Sequence, residues 1–132
     1  MKEFIPQAGA VVYRKVDDAI QILLILSKKK PPVRIFPKGH IEPGETSLEA
    51  SRRELIEEAG MSGELVSEID EIFYDFRDKN FRVKYYLFHY RQTDSSGEPG
   101  RDPQWFSPEE ARELLPFDAI RSVMYKALPL CE

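Results

Sequence analysis

Glu54, Glu57 and Glu58 stand at positions i, i+3 and i+4. On an α-helix those positions share one face, so three carboxylates would converge on one patch. Arg53 lies four residues before Glu57 and can bridge to it. Like charges at this spacing cost only a few tenths of a kcal/mol per pair on an exposed helix, so an acidic face can be plain solvated surface. The chemical alternative is a hard divalent cation. Mg²⁺ or Mn²⁺ takes oxygen ligands, keeps several waters and is shared with substrate phosphates. No cluster of histidines or cysteines offers a zinc site. Just upstream, Gly39 allows close backbone approach or a positive φ, and Glu45 adds a fourth acid. Lys38 and His40 add donors suited to phosphate oxygens.

These residues need a helix and a loop to position them. Thr46 or Ser47 is placed to cap a helix, and Thr46-x-x-Glu49 has the form of a capping box. The helix runs to about Ala59, with Gly60 placed to end it in the left-handed conformation. At about 100° per residue, Leu48, Leu55 and Ala59 fall in one narrow arc, with Ile56 at its edge. That arc faces a sheet, and the glutamates face away from it. The loop before the helix spans Gly39 to Gly44. Strands are expected over Ala8–Val16 and Ile20–Ser27, separated by a turn at Asp17-Asp18, and over Ile35-Phe36, which stops at Pro37. Two long strands, Glu64–Phe76 and Phe81–Arg91, follow the helix and are joined by a turn at Asp78-Lys79-Asn80. Thr93–Asp102 reads as a loop. Ser107-Pro108 opens a second helix, and a last helix covers about Asp118–Leu128. This order implies an α/β (α+β) layered domain with a mixed sheet between helices.

The chain has 132 residues and a formal net charge of −4. That length suits a single domain, 1–132. The charge argues against binding of duplex nucleic acid, which needs a basic footprint. Lys28-Lys29-Lys30 is a local exception, read either as a solvated loop or as an attractor of small polyanions. No apolar run approaches the roughly 18 to 20 residues of a membrane span. The start, Met1 to Pro6, lacks the apolar stretch of a secretory signal. Cys131 is the only cysteine, so no intramolecular disulfide can form, and a cytoplasmic setting is expected.

Residues 39–61 read Gly39, five residues, Glu45, seven residues, then Arg53-Glu54-Leu55-Ile56-Glu57-Glu58-Ala59-Gly60-Met61. This resembles the Nudix box, G-x5-E-x7-R-E-U-x-E-E-x-G-U with U apolar, at every fixed position. The resemblance implies a three-layer α/β/α sandwich around a mixed sheet. It also implies metal-dependent hydrolysis of a phosphoanhydride in a nucleoside diphosphate-linked substrate, with Mg²⁺ or Mn²⁺. It assigns Glu54, Glu57 and Glu58 to metal, directly or through water, with the Gly39 carbonyl as a further ligand. Arg53 would orient the glutamates and Glu45 would support the loop. The general base stays open between Glu54 and Glu57. Lys38 would stabilise the leaving group, and Glu98 is a candidate extra acid from the late loop.

The flanks bear on substrate. Pro37-Lys38-Gly39-His40-Ile41-Glu42-Pro43-Gly44-Glu45 resembles the equivalent run of diadenosine tetraphosphate hydrolases. By the same resemblance, Tyr85 and Phe117 are candidate adenine-stacking residues. Tyr85 and Tyr86 must face opposite sides of a strand, so one of them only packs. Trp105, Phe106, Met124 and Leu128 read as packing, and His89 as strand surface. The expected partner is a small nucleotide, and the expected state a monomer or homodimer. The alternatives are ADP-ribose, a nucleotide sugar, a (d)NTP, a diphosphoinositol phosphate or RNA 5′ ends as substrate, or a non-catalytic nucleotide sensor of the same fold.

Overall fold

The computed structural model describes residues 3–132. The first two residues of the N-terminal run lie outside the described residues. Strands β1 (Ile5–Val16) and β2 (Ala19–Leu26) form a hairpin. Its turn residues, Asp17 and Asp18, have φ of 51° and 66°. Two successive positive φ values match the right-handed twist of the flanking strands, and Asp tolerates them better than bulkier residues. Strands β3 (Arg34–Ile35) and β4 (Lys38–His40) follow, then helix α1 (Ser47–Ala59). Strands β5 (Met61–Phe76) and β6 (Lys79–Thr93) form a second hairpin, turned by Arg77 and Asp78 at φ 50° and 63°. Strand β7 (Gln104–Phe106), helices α2 (Pro108–Leu114) and α3 (Asp118–Ala127), and a 3₁₀ turn at Leu128–Leu130 complete the order.

The sheet runs β3-β2-β1-β6-β5, with β4 also paired to β1 and β7 to β2. β1 and β6 are parallel, whereas the other pairs are antiparallel, so the sheet is mixed. Consecutive residues of β1 split between its two faces. Ala10 and Val12, with Leu23, Ile25 and Phe88, pack against Leu55 and Ala59 of α1. Val11 and Tyr13, with Ile22, Leu24 and Leu87, pack against Ala111 of α2 and Val123 and Met124 of α3. Period-2 alternation thus builds both cores of an α/β/α sandwich from the same strands. No helix among the described residues is long and apolar enough to cross a membrane.

Several local expectations shift. Gly39, read as the start of a loop, lies in β4, because Lys38–His40 pairs with Gln7–Gly9 of β1. That pairing is made by the tertiary fold and leaves no mark on a three-residue segment. The short strand before Pro37 is Arg34–Ile35, and Phe36 is a buried core side chain. The second hairpin turns at Arg77-Asp78, one residue ahead of the expected segment. β7 carries Trp105 and Phe106, read only as packing residues, and pairs with β2; three residues carry no alternation from which a strand can be read.

Helix α1 is anchored as its sequence implies. Thr46 is the cap, its side chain accepting from the Glu49 N–H, and the Glu49 side chain returns the bond to the Thr46 N–H. Gly60 closes the helix at φ 68°. The buried stripe is wider than expected and includes Ala50, Ser51 and Glu58, whereas Ile56 is half exposed. Leu55→Ala should therefore cost about 2–5 kcal/mol by cavity formation, and Ile56→Ala no more than about 1 kcal/mol. Chemical denaturation of the two variants measures the difference; equal losses would refute this packing of α1.

Candidate functional site

Arg53 is the hub of the acidic face. Its Nε and Nη2 donate to the two oxygens of Glu45 at 2.8 and 3.0 Å. Its Nη1 donates to Glu54 at 2.8 Å and to Glu57 at 3.2 Å, and Nη2 also donates to the His40 carbonyl at 2.9 Å. One planar guanidinium thus ties three acids of the motif to the chain at β4. The Glu45 carboxylate further accepts the Glu42 N–H at 3.0 Å. The hydrogen bonds from Arg53, then that from Glu42, bring the Glu45 carboxyl down to about 2. The same pairing with Glu45 raises the Arg53 guanidinium further.

Gly39 is fitted to Glu54. A Cβ at this position would overlap the Glu54 carboxyl group, so only glycine lets the carboxylate lie against the β4 backbone. Glu57 sits beside it with its side chain about half in solvent.

Glu58 departs from the expected exposed face. It is only 6 % exposed. One carboxylate oxygen accepts the Lys38 backbone N–H at 3.0 Å and the other accepts Arg101 Nη2 at 2.8 Å. Burial pushes the Glu58 carboxyl up to about 7, against the opposing pull of Arg101. The physical reason is the loop of residues 94–103, which packs over the end of α1 and covers Glu58 instead of standing in solvent. This loop also holds Glu98, which pairs with Arg101 at 2.9 Å and with Lys28 at 3.0 Å. Lys28 and Arg101, in that order, hold the Glu98 carboxyl below its ordinary value.

The substrate candidates separate. Lys38 Nζ donates to the Tyr74 hydroxyl at 3.1 Å and to Gln7 at 3.5 Å, and among the described residues it makes no ion pair with Glu54, Glu57 or Glu58. His40 is exposed at the end of β4, its ring tilted 6.3 Å from Phe81. Phe117, at the start of α3, is 53 % exposed, with Lys29 Nζ 5.4 Å from its ring centre. Tyr85 is corrected. Its ring is 1 % exposed, packs edge-on to Phe36 at 5.9 Å and lies over Gly9, so no face is open to a base. Burial also raises its hydroxyl. Its neighbour Tyr86 is buried on the α1 side, its hydroxyl 2.5 Å from that of Ser47. Both tyrosines therefore pack.

Three residues at the site escaped the sequence reading. Gln7 and Tyr74 hold the Lys38 ammonium, and Arg101 holds Glu58. Gln7 and Tyr74 sit in strands with no motif around them, and a lone Arg after Pro99-Gly100 has no spacing relation to α1.

Among the described residues, no three His, Cys, Asp or Glu side chains converge as a ready-made metal cluster. The donor chemistry nonetheless fits a hard cation. The acids offer oxygen only, Glu54 is seated against the Gly39 backbone, and Glu57 has room for water-bearing ligands.

A NUDIX domain is matched over residues 4–128. The chain belongs to the NUDIX family. It is similar to the asymmetrical bis(5′-nucleosyl)-tetraphosphatase of Caenorhabditis elegans, 30 % identical over 125 residues, covering 90 % of this chain and 91 % of that protein. The enzyme of the same name from Sus scrofa is 31 % identical over 129 residues, covering 88 % of each. The crystal structure of a C. elegans Ap4A hydrolase binary complex superposes with a TM-score of 0.83 at 27 % identity, covering 95 % of this chain and 96 % of that one. The chain is a Nudix hydrolase with pyrophosphohydrolase activity, and the family generally uses a divalent metal.

Because the folded pKa of Glu45 lies below its ordinary value, its contribution to stability is complete above about pH 4.5 and is lost as pH falls toward about 2. Glu45→Gln should therefore be less stable than the parent near neutrality, and the gap should narrow steadily below about pH 4.5. Urea midpoints measured across that range in chelator-treated buffer test this; a gap constant with pH would refute the Glu45–Arg53 assignment.

Proposed function

We propose that this protein hydrolyses diadenosine tetraphosphate asymmetrically to ATP and AMP, using Mg²⁺ or Mn²⁺. The observation that carries the chemistry is the Glu54 carboxylate seated against Gly39, with Glu57 beside it and Arg53 between them. The substrate rests on the likeness to two tetraphosphatases along nearly the whole chain and on the Pro37-Lys38-Gly39-His40 run. Glu54, Glu57, Glu58 and the Gly39 carbonyl would hold the cation, directly or through water. When bound, it would supply positive charge to the phosphoryl oxygens and make it easier for a water to lose the proton that must leave before it attacks phosphorus.

The chain's own residues do the rest. Arg53 fixes the side chains of Glu54 and Glu57, so their oxygens need no reorganisation when substrate arrives. Of Glu54 and Glu57, the one that meets the ion only through water would take the proton of the attacking water. Lys38, on β4 next to Gly39, reaches phosphate oxygens whose charge grows as the anhydride breaks. His40 and the basic Lys28–Lys30 loop add donors for the rest of the polyphosphate. Phe117 offers an open ring for one adenine. A catalytically silent nucleotide sensor would have no use for Glu54 and Glu57 in this arrangement. The setting proposed is cytoplasmic, with residues 1–132 as one domain acting as a monomer or homodimer.

Glu57→Gln should lower kcat by at least ~100-fold, the scale of losing metal or base function, with its unfolding midpoint nearly unchanged. Wild-type turnover by this variant on every substrate of a panel of dinucleoside polyphosphates, ADP-ribose and dNTPs would remove the metal-site reading. Lys38→Met should act mainly on kcat. Phe117→Ala should raise KM for diadenosine tetraphosphate by about one to two powers of ten, from roughly 1–3 kcal/mol of base stacking. A base-free inorganic polyphosphate should be indifferent to Phe117→Ala. Equal effects on both substrates would overturn the stacking role and return the substrate to the wider set of ADP-ribose, nucleotide sugar, (d)NTP, diphosphoinositol phosphate or RNA 5′ ends.

A further inference from the structure

Loop 27–33, between β2 and β3, is closed at its base. The Ser27 N–H donates to the Val33 carbonyl at 2.8 Å, and the Ser27 hydroxyl accepts the Val33 N–H at 3.0 Å and the Lys29 N–H at 3.3 Å. A loop fixed at its base presents its tip to solvent, and Lys28, Lys29 and Lys30 are all exposed there. The three lysines are not equivalent. Lys28 pairs with Glu98 at 3.0 Å. Lys29 makes no ion pair among the described residues. Its ammonium lies over two rings instead, 5.2 Å from the centre of Phe76 and 5.4 Å from that of Phe117.

Those rings come from distant parts of the chain. Phe76 ends β5 at the second hairpin, and Phe117 precedes α3. Both are about half exposed. Tyr74, two residues before Phe76, shares its face of β5 and has the Lys38 ammonium 5.3 Å from its own ring centre. Lys38 adjoins Gly39, against which Glu54 is seated. Two lysines thus lie on rings at this end of the sheet, one beside the acids and one at Phe117.

An ammonium on an exposed ring face is held weakly, and a charged phosphate oxygen holds it better. A flat base stacking on Phe117 needs ring surface that the Lys29 ammonium covers. A bare nucleoside must displace that cation and gives it no new partner. A nucleotide also displaces it, but offers phosphate oxygens to a flexible four-carbon stem.

With Phe117 read as the adenine-stacking ring, a reading on which this rests, we propose that Lys29 is a specificity residue that sets phosphorylated nucleosides apart from bare ones. Its ammonium covers Phe76 and Phe117 until a nucleotide stacks, and then moves to the phosphate chain. The same side chain is a competitor of the base and a partner of the phosphate. Its removal therefore acts on the two with opposite sign.

The test is titration of protein with labelled phenylalanine rings, followed by nuclear magnetic resonance at the Phe117 signal without metal. The probes are adenosine and ATP. Lys29 is a solvent-exposed loop residue, so its replacement spares the fold. Lys29→Gln should bind adenosine about two- to fivefold more tightly than the parent, the size of an exposed cation–π contact. Its preference for ATP over adenosine, taken as the ratio of Kd values, should fall at least about threefold with the loss of an exposed ion pair. Lys29→Arg should keep the parent's preference, because a guanidinium also rests on ring faces and pairs with phosphate. A mere loss of positive charge would weaken ATP and leave the uncharged adenosine unmoved, so unchanged or weaker adenosine binding in Lys29→Gln overturns the proposal. An unchanged preference, or an arginine variant that behaves like the glutamine one, overturns it too. If neither probe moves the Phe117 signal in parent or variant, the base-stacking reading itself falls, and this proposal with it.

Discussion

Carboxylates crowded on one helix face repel each other, and the arrangement of this protein follows from how that charge is balanced. Two arginines do it from opposite flanks. Arg53, on the helix itself, works at the solvent side and gathers Glu45, Glu54 and Glu57. Arg101, from a distant loop, works from the interior on Glu58 and Glu98. A lysine could do neither job well. Its ammonium is a point charge on a flexible stem, whereas the guanidinium offers a rigid planar fork that meets several acceptors in fixed directions. The two flanks also differ in consequence. A partly solvated pair can yield to a substrate or an ion at small cost. A buried pair, losing one partner, leaves an uncompensated charge, so it acts as a fixed part of the frame.

Backbone proximity supplies the rest of the precision. Gly39 lets the Glu54 carboxylate touch β4, and Gly97 lets the late loop touch the last turn of α1. In both places the space a side chain would need is taken by the group whose position matters. β4 is the junction of these contacts. It is hydrogen-bonded to β1 along one edge, held by Glu58 through the Lys38 N–H, and reached by Arg53 through the His40 carbonyl. Three residues so short of local preference for a strand are ordered by what surrounds them.

This explains which parts could be read from the chain alone. The capping box at Thr46, the left-handed stop at Gly60 and the glutamate spacing are local, and each has a physical mechanism confined to one turn or one helix. They place α1 and its Glu54–Glu57 face correctly. The alternation Ala10-Val11-Val12-Tyr13 likewise exposes the two-sided core. Tyr85 shows the limit. Its strand position is clear, but its ring is covered by Phe36 and lies against the β1 backbone at Gly9, and strand period alone does not distinguish a covered face from an open one. Glu58 fails for a related reason. Helical phase puts it near Glu54 and Glu57, but its burial is set by a loop more than thirty residues later in the chain. Arg101 has no periodic or local signature and is visible only once that loop is seen against α1.

Lys38 joins the two halves of this arrangement. Its backbone N–H is fixed by Glu58, which Arg101 fixes in turn, while its ammonium is held away from the acids by Tyr74 and Gln7. An ammonium drawn directly onto Glu54 or Glu57 would satisfy those acids internally and compete with both a metal and a phosphate. Neutral acceptors hold it more weakly than carboxylates would, so a polyanion can take it over without breaking an ion pair. The frame is thus rigid where Arg53 holds Glu54 and Glu57 and where Glu58 and Arg101 set the backbone, and exchangeable where Lys38 Nζ and Phe117 meet a ligand. A hydrolase acting on a long, highly charged substrate requires that division. The reacting acids must be held before substrate binds, whereas the cations that receive the phosphate chain must be free to change partners.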